Sequence, residues 1–422
     1  MLDLKFIRDN PDRVREAVLA KNTPAALVDE FLACDARRRA IIAEVEALKH
    51  ERNVISQQIA AAKKSGQDAA AAMAQGKAIS DKAQALDAEL REVEEKQRQI
   101  QLRIPNIPHA TTPIGDESKN QVVRSWGQPP SLGFKPLPHW EIGQKLGIYD
   151  GEAGASVSGS GFFVLRGDGA RLQRALINFM LDRHIAHGYI EHRLPYLVNS
   201  KTMQGTGQLP KLADDMYRIE SDDLWLIPTA EVPLTNLEAG AILPPGTLPR
   251  RWCAYTPCFR REAGAAGKDT RGMIRVHQFD KVELVKVVEP DTSYDELELL
   301  TADAEAILQA LEIPYRVKLL ASGDISFAAA KCYDLEAYSA GIDAWLEVSS
   351  CSNFEDFQAR RMDLRVRPAA GGKPYFPHTL NGSALALPRT MIAILENRQT
   401  EKGTIRIPEA LVPYMGGRTE IG

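Results

Sequence analysis

The chain has 422 residues, 44% of them hydrophobic and 26% charged, with a formal net charge of -4. That length allows two or three domains and a sizeable core, and the composition is ordinary for a globular protein. The slight acidity excludes a uniformly basic nucleic-acid binder, so an RNA partner would need locally basic surfaces.

The opening run Met1-Leu2-Asp3-Leu4-Lys5-Phe6-Ile7-Arg8-Asp9 lacks the apolar centre of a signal peptide, and its two acids disfavour a mitochondrial presequence. No stretch approaches the run of about 20 apolar residues that spans a bilayer. Both points predict a cytoplasmic protein with no membrane partner. Asn10-Pro11-Asp12-Arg13 reads as a short helix start, with proline in the first turn.

Steps of four and three from Leu27 pick out Phe31, Cys34, Arg38, Ile41, Val45, Leu48, Arg52, Ile55 and Ile59, a heptad seam. Ser65-Gly66-Gln67-Asp68 breaks it, because glycine is a helix-stop signal. A second seam runs through Ile79, Ala83, Leu86, Leu90, Val93, Gln97 and Ile100 until Pro105 and Pro108 end it. Two such strips joined by a turn can bury each other as an antiparallel hairpin over about residues 27–100. Its helices reach roughly 55 Å and would project as an arm. Periodicity alone equally allows a stalk that dimerises two chains.

Residues 105–130 are rich in Pro, Gly, Ser and Asn and read as a linker or irregular crossing. The pattern then becomes α+β. Residues 171–187 are an amphipathic helix with Leu172, Leu176, Phe179, Met180 and His184 on one side. Trp225-Leu226-Ile227 and residues 282–288 read as strands, and residues 294–311 and 389–396 as helices. Neither GxGxxG nor GxxxxGK[ST] occurs, so neither a Rossmann nor a P-loop site is supported. The five cysteines, Cys34, Cys253, Cys258, Cys332 and Cys351, form no CxxC pair. Their odd number fits a reducing compartment with idle thiols, and a zinc site assembled only in the fold stays open.

Four segments offer chemistry. In Pro228-Thr229-Ala230-Glu231, a hydroxyl and a carboxylate two apart on an extended chain would share a face. Between two apolar-ended runs, Cys258-Phe259-Arg260-Arg261-Glu262-Ala263-Gly264 leads to Asp269-Thr270-Arg271-Gly272-Met273-Ile274-Arg275-Val276-His277-Gln278-Phe279. Its four arginines within sixteen residues suit a phosphate-bearing ligand, whose oxygens guanidinium forks bind in pairs. Glu347-Val348-Ser349-Ser350 offers hard oxygens of the kind Mg²⁺ takes beside substrate phosphates. Asn381-Gly382-Ser383 reads as a polar turn running into a helix that begins near Arg389. Each segment alone also fits a structural role: a strand end, a solvated loop, a cap, a surface turn.

Together and in this order, these segments resemble the class II seryl-tRNA synthetases. So do the N-terminal 22 residues, Ile104-Pro105-Asn106-Ile107-Pro108-His109 and Cys351-Ser352-Asn353-Phe354-Glu355-Asp356-Phe357. The resemblance covers essentially the whole chain. It implies an α+β catalytic domain at residues 109–422, an antiparallel sheet flanked by helices, behind a tRNA-binding domain at 1–108 with a coiled-coil arm. It implies serine–tRNA ligase activity, ATP as substrate, Mg²⁺, tRNA(Ser), tRNA(Sec) where that exists, and a homodimer built on the 171–187 helix and residues 188–195.

By the same likeness, Arg260 and Arg389 are catalytic. Serine falls to Thr229, Ala230, Glu231, Arg260, Glu283, Asn381 and Ser383. ATP falls to Arg260, Arg261, Glu262, Arg271, Val276, Phe279, Glu347, Val348, Ser349, Ser350 and Arg389, with Glu347 and Ser350 on Mg²⁺. Lys63, Lys64, Lys77, Lys82 and Arg91 are candidates for tRNA contact on the arm. Pro388 stands where many relatives would have glycine, which stiffens the approach to Arg389. Two alternatives are a paralogue that charges a carrier protein, disfavoured by the arm, and a non-catalytic RNA binder, disfavoured by the intact charged set.

Overall fold

A computed structural model describes residues 1–263 and 271–422. The part of the arginine-rich segment at 264–270 lies outside the described residues. Apart from Met1, the chain divides into two compact units, Leu2–Pro105 and Asn106–Gly422.

The N-terminal unit holds α1 (Leu4–Asp9), α2 (Pro11–Ala20), α3 (Ala26–Lys64) and α4 (Ala70–Arg103). Pro11 opens α2, where its missing N–H costs nothing. Helices α3 and α4 are antiparallel: Arg37 pairs with Glu89, whereas Glu44, further along, pairs with the earlier Lys82. Their seams meet as the heptads predict, with Ile41, Val45, Leu48 and Ile55 against Ile79, Ala83 and Leu86. The intrachain hairpin thus satisfies both strips. Gly66 makes the turn at φ +70°, a conformation that glycine reaches without strain. Of the basic candidates, Lys82 is engaged with Glu44 at 2.8 Å. Lys63, Lys64, Lys77 and Arg91 are exposed.

The second unit is built on an eight-stranded sheet. Its strands are β1 (Gln121–Trp126), β2 (Ile190–Glu191), β3 (Arg250–Phe259), β4 (Gln278–Val288), β5 (Tyr315–Leu319), β6 (Lys331–Ser339), β7 (Ala344–Asn353) and β8 (His378–Ala386). Their order across the sheet is β1-β5-β6-β7-β8-β4-β3-β2. Every neighbouring pair is antiparallel except β2 with β3 at one edge.

Around this sheet lie α5 (His139–Lys145), α6 (Asp168–Ala186), α7 (Glu231–Thr235), α8 (Ser293–Ala310) and α9 (Phe357–Met362). A further helix, α10 (Leu387–Asn397), follows β8 directly. Leu172, Leu176 and Met180 of α6, Leu300 and Ile307 of α8 and Met391 and Leu395 of α10 pack with Val282, Leu284, Leu335 and Cys351 of the sheet. His184 is buried there too, and burial lowers its pKa to about 4, so the ring stays neutral.

Residues 282–288 are buried on both faces, which is why their pattern is not a clean apolar–polar alternation. Even-numbered Val282 and Leu284 enter the helical core, while odd-numbered Phe279, Lys281 and Glu283 face the opposite side. All five cysteines are buried and unpaired, and no metal-holding cluster of His, Cys, Asp and Glu exists among the described residues. No described helix is long and apolar enough to cross a membrane.

Candidate active site

On the face opposite the helical core lies a cavity of about 590 Å³. Strands β4, β7 and β8, helix α7 and the limbs flanking the arginine-rich loop supply its walls. It gathers Thr229, Glu231, Arg260, Glu262, Val276, Phe279, Glu283, Glu347, Val348, Ser349, Ser350, Asn381, Ser383 and Arg389. These come from all four segments, which are up to 160 residues apart in the chain (229 to 389).

Three expected residues are not in its walls. Ala230 is buried in a separate apolar cluster with Leu194, Leu234, Trp252 and Val285. Arg261 is exposed, with its backbone N–H donating to Asp215 O at 2.8 Å. Arg271 lies against Trp140, Cζ 5.1 Å from the ring centroid.

The local structure also differs from the sequence expectation in two places. Pro228-Thr229-Ala230-Glu231 is not extended. Ala230 is helical at φ -64° and ψ -19°, and Glu231 opens α7. The Thr229 hydroxyl accepts from Glu231 N at 3.2 Å, a local bond that competes with strand pairing. Asn381-Gly382-Ser383 is no turn but the middle of β8, and Glu347 to Ser350 lie on β7. Polar composition misleads there because these strand residues face a polar cavity rather than solvent.

Two bulges aim the side chains. Between β4 and β8 the register shifts so that Val282 faces Leu385 while Glu283 faces Ser383. Between β6 and β7 it shifts beside Glu336 and Glu347. Such insertions re-aim side chains without breaking a sheet.

One end of the cavity is acidic. Glu283 is buried and pairs with Lys281, whose Nζ also donates to Thr229 Oγ1 at 2.9 Å. Ser383 Oγ donates to Glu283 Oε2 at 3.5 Å, while Glu283 Oε1 is buried without a partner. Glu231 is buried as well, and burial, reinforced by the Glu283 charge, raises its pKa to about 7. Gln358 of α9 donates to Glu231 Oε1 at 2.7 Å and accepts from Thr379 Oγ1 at 2.7 Å, which fixes the carboxyl group. Lys281 and Gln358 were not foreseen. Lys281, two residues from Phe279 and from Glu283, was legible by strand alternation, whereas nothing in the sequence links Gln358 to Glu231.

The other end is cationic and aromatic. Arg260 Cζ sits 5.1 Å from the Phe279 ring centroid, and Arg260 Nε donates to Pro228 O at 3.4 Å. Glu262 pairs with Arg275, one of the four arginines expected to suit a phosphate. Arg389, in the first turn of α10, donates from Nε to Ile274 O at 3.1 Å and from Nη1 to Glu347 O at 2.8 Å. Pro388 occupies the first helical turn without disturbing it. The cavity therefore joins a buried carboxylate pocket, suited to a small ammonium group, to an arginine-lined trough with an exposed aromatic face, suited to a phosphorylated base.

The family described as Seryl-tRNA synthetase N-terminal domain matches residues 1–108, and the tRNA synthetase class II core domain (G, H, P, S and T) matches residues 216–398. A serine–tRNA ligase of Thermomicrobium roseum is 55% identical over 100% of this chain and 95% of its own length. Two solved structures are similar throughout. The seryl-tRNA synthetase from Pyrococcus horikoshii complexed with ATP has a TM-score of 0.95 at 39% identity, covering 100% of this chain and 99% of that one. The cytoplasmic serine–tRNA ligase from Naegleria fowleri in complex with AMP has a TM-score of 0.90 at 31% identity, covering 100% and 98%.

Proposed function

The chain belongs to the seryl-tRNA synthetase family, with the class II catalytic fold, and from that premise we propose how its residues divide the reaction. The activity is that of a serine–tRNA ligase: serine is activated with ATP and attached to tRNA. Identity along the whole chain, arm included, does not favour the carrier-protein or non-catalytic alternatives.

The observation that carries the division is the unpartnered, buried Glu283 Oε1 at the acidic end of a cavity whose other end is arginine and phenylalanine. Serine enters the acidic end. Its ammonium is drawn to Glu283 and Glu231, and its hydroxyl lies among Thr229, Ser383 and Asn381. Alanine would leave those polar groups unpaired, which disfavours it by about 10⁴ or more where the site is built around the hydroxyl. Lys281 holds Thr229 and Glu283 in register, and Gln358 holds Glu231.

ATP takes the other end, with the adenine on Phe279 and beneath Arg389 and its amino group on Glu262. Val276, Val348 and Ser349 border the nucleotide. Arg271 and Arg261 stand outside the cavity walls, so their role is with the terminal phosphates, on the solvent side. Arg260 stands at the nucleotide end but close enough for its charge to act on Glu231, so it contacts both the serine carboxylate and the α-phosphate. A serine carboxylate oxygen attacks the α-phosphorus, the α–β bridging bond breaks, and pyrophosphate leaves with the electron pair. Arg260 and Arg389 offset the charge that develops on phosphorus, and positioning does the rest. The terminal 3′-hydroxyl of tRNA then attacks the acyl carbon, and AMP leaves.

Glu347 and Ser350 would hold Mg²⁺, which would neutralise phosphate charge there. The fit is chemical: two hard protein oxygens, with the Glu347 side chain 48% exposed, suit a cation that takes few protein ligands and keeps phosphate and water.

Residues 1–108 form the tRNA-binding domain and 109–422 the catalytic domain. The arm lies on tRNA(Ser), and on tRNA(Sec) where one is present, and Lys63, Lys64, Lys77 and Arg91 are its backbone contacts. The enzyme works in the cytoplasm as a homodimer through α6 and β2. Exposed Ile185 of α6 and Ile190 of β2 support the last point. Serine-dependent exchange of labelled pyrophosphate into ATP tests the division. It should require serine, fail with alanine, and vanish in Arg260→Ala; exchange that survives in Arg260→Ala refutes it.

A further inference from the structure

Beside the cavity, a histidine and a glutamate, both fully buried, face each other. His139 Nδ1 lies 2.7 Å from Glu396 Oε1, which also accepts from the His139 backbone N at 2.9 Å. Glu396 Oε2 accepts from Gly341 N at 2.9 Å and Ile342 N at 3.1 Å. Four donors therefore fix the carboxylate. On the other side of the ring, Met273 N–H donates to His139 Nε2 at 3.0 Å. Since Nε2 accepts, the ring proton sits on Nδ1 and points at Glu396.

The approach is close. Gly272 has φ +66°, and a Cβ there would stand 2.1 Å from His139 Nε2. Only glycine lets the chain pass. The neighbouring Trp140 carries the Arg271 guanidinium on its face.

These contacts close a circuit. Ile274 O, one residue beyond Met273, accepts from Arg389. Arg389 and Glu396 lie on the same helix, two turns apart and on the same face. Helix α10 thus grips the return limb of the arginine-rich loop at two consecutive residues: Ile274 directly through Arg389, Met273 through Glu396 and His139.

We propose that His139, with Trp140, is a positioning residue for ATP: it sets the return limb against α10 and so places Arg271 and Arg389 for the nucleotide. It touches no substrate. The inference rests on the ATP-site reading above. A merely structural pair would stabilise the fold and leave ATP and serine constants unchanged or shifted alike. This one acts on the nucleotide end alone.

The test is serine-dependent ATP–pyrophosphate exchange on the full chain, with KM for ATP and serine measured separately. His139→Asn keeps a donor towards Glu396 but loses the acceptor for Met273, and His139→Gln returns an acceptor near the Nε2 position. His139→Asn should raise the ATP KM about tenfold with the serine KM within about twofold, and His139→Gln should restore most of it. Trp140→Leu leaves the buried pair intact and should raise the ATP KM several-fold, so it decides the matter if the His139 variants do not fold.

An ATP KM within about twofold of the parent in folded His139→Asn, or equal rises for ATP and serine, overturns the proposal. With no folded His139 variant, an unchanged ATP KM in Trp140→Leu does the same. Arg389→Ala separates the two levels. If it leaves the ATP KM unchanged, the ATP-site reading fails and this inference with it. If it raises the ATP KM while the His139 and Trp140 variants do not, the inference alone fails.

Discussion

Lys281→Met strips the cation from the centre of the acidic pocket. The side chains of Lys281 and Glu283 are 8% and 1% exposed, so solvent cannot replace the lost partner. Glu283 would be left as a buried carboxylate with one oxygen already unpartnered and Glu231 beside it. Breaking a buried pair from one side costs about 3–5 kcal/mol, chiefly the penalty of the stranded charge. At about 2 °C per kcal/mol for a domain of this size, the melting midpoint of the catalytic unit should fall by about 6–10 °C. Lys281→Met combined with Glu283→Leu removes both charges and should recover most of that loss, since an apolar replacement of a whole buried pair is often neutral. Thermal denaturation followed by circular dichroism reads both variants. A single variant that melts within about 2 °C of the parent, or a double variant no more stable than the single, would show that Lys281 does not offset a buried Glu283 charge.

Further consequences can be measured directly. Burial raises the Glu231 pKa to about 7, above its unfolded value, so the folded state holds this proton more tightly. Its contribution to stability is therefore greatest below about pH 4 and falls by about 3 kcal/mol between pH 4.5 and 7; Glu231→Gln should flatten that part of the pH–stability curve. Serine's ammonium favours the ionised carboxyl, so the serine KM should fall as pH rises through about 7, and a KM independent of pH from 6 to 8 would contradict this. Gln358→Leu strands Glu231 Oε1 and Thr379 Oγ1, and should cost about 2–4 kcal/mol in denaturant titration while raising the serine KM more than the ATP KM. Ile41→Ala opens the seam of α3 and α4 and should cost the arm about 3 kcal/mol. It should slow tRNA charging and leave pyrophosphate exchange intact.

The arm was the most legible part of the fold, because a heptad strip is a repeated local signal and proline or glycine marks each end. The expected break at Ser65-Gly66-Gln67-Asp68 coincides with the turn, and α3 ends at Lys64. The 171–187 helix was legible for the same reason. The cavity's residue set followed from motif likeness rather than from local pattern, and its backbone was partly misread. Asn381 and Ser383 look like a turn because strand residues that face a polar cavity have turn-like composition. Thr229 and Glu231 were expected on an extended chain, but Ala230 is already helical and Glu231 opens α7, with its N–H donating to the Thr229 hydroxyl. The supports, Gln358 on Glu231, Arg275 on Glu262 and His139 on Met273, join residues 13 to 134 positions apart. No local rule reaches that far, because these residues sit on helices and loop limbs that only the packing around the sheet brings together.

Charging of purified tRNA(Ser) with labelled serine and ATP by the 422-residue chain, run beside Arg260→Ala, tests most directly whether this site makes seryl-tRNA. The parent should charge serine specifically, and a folded Arg260→Ala should lose about 10²–10³ in rate, as removal of a transition-state contact entails. A folded parent that forms no seryl-tRNA, or an Arg260→Ala variant that charges at the parent's rate, would contradict this.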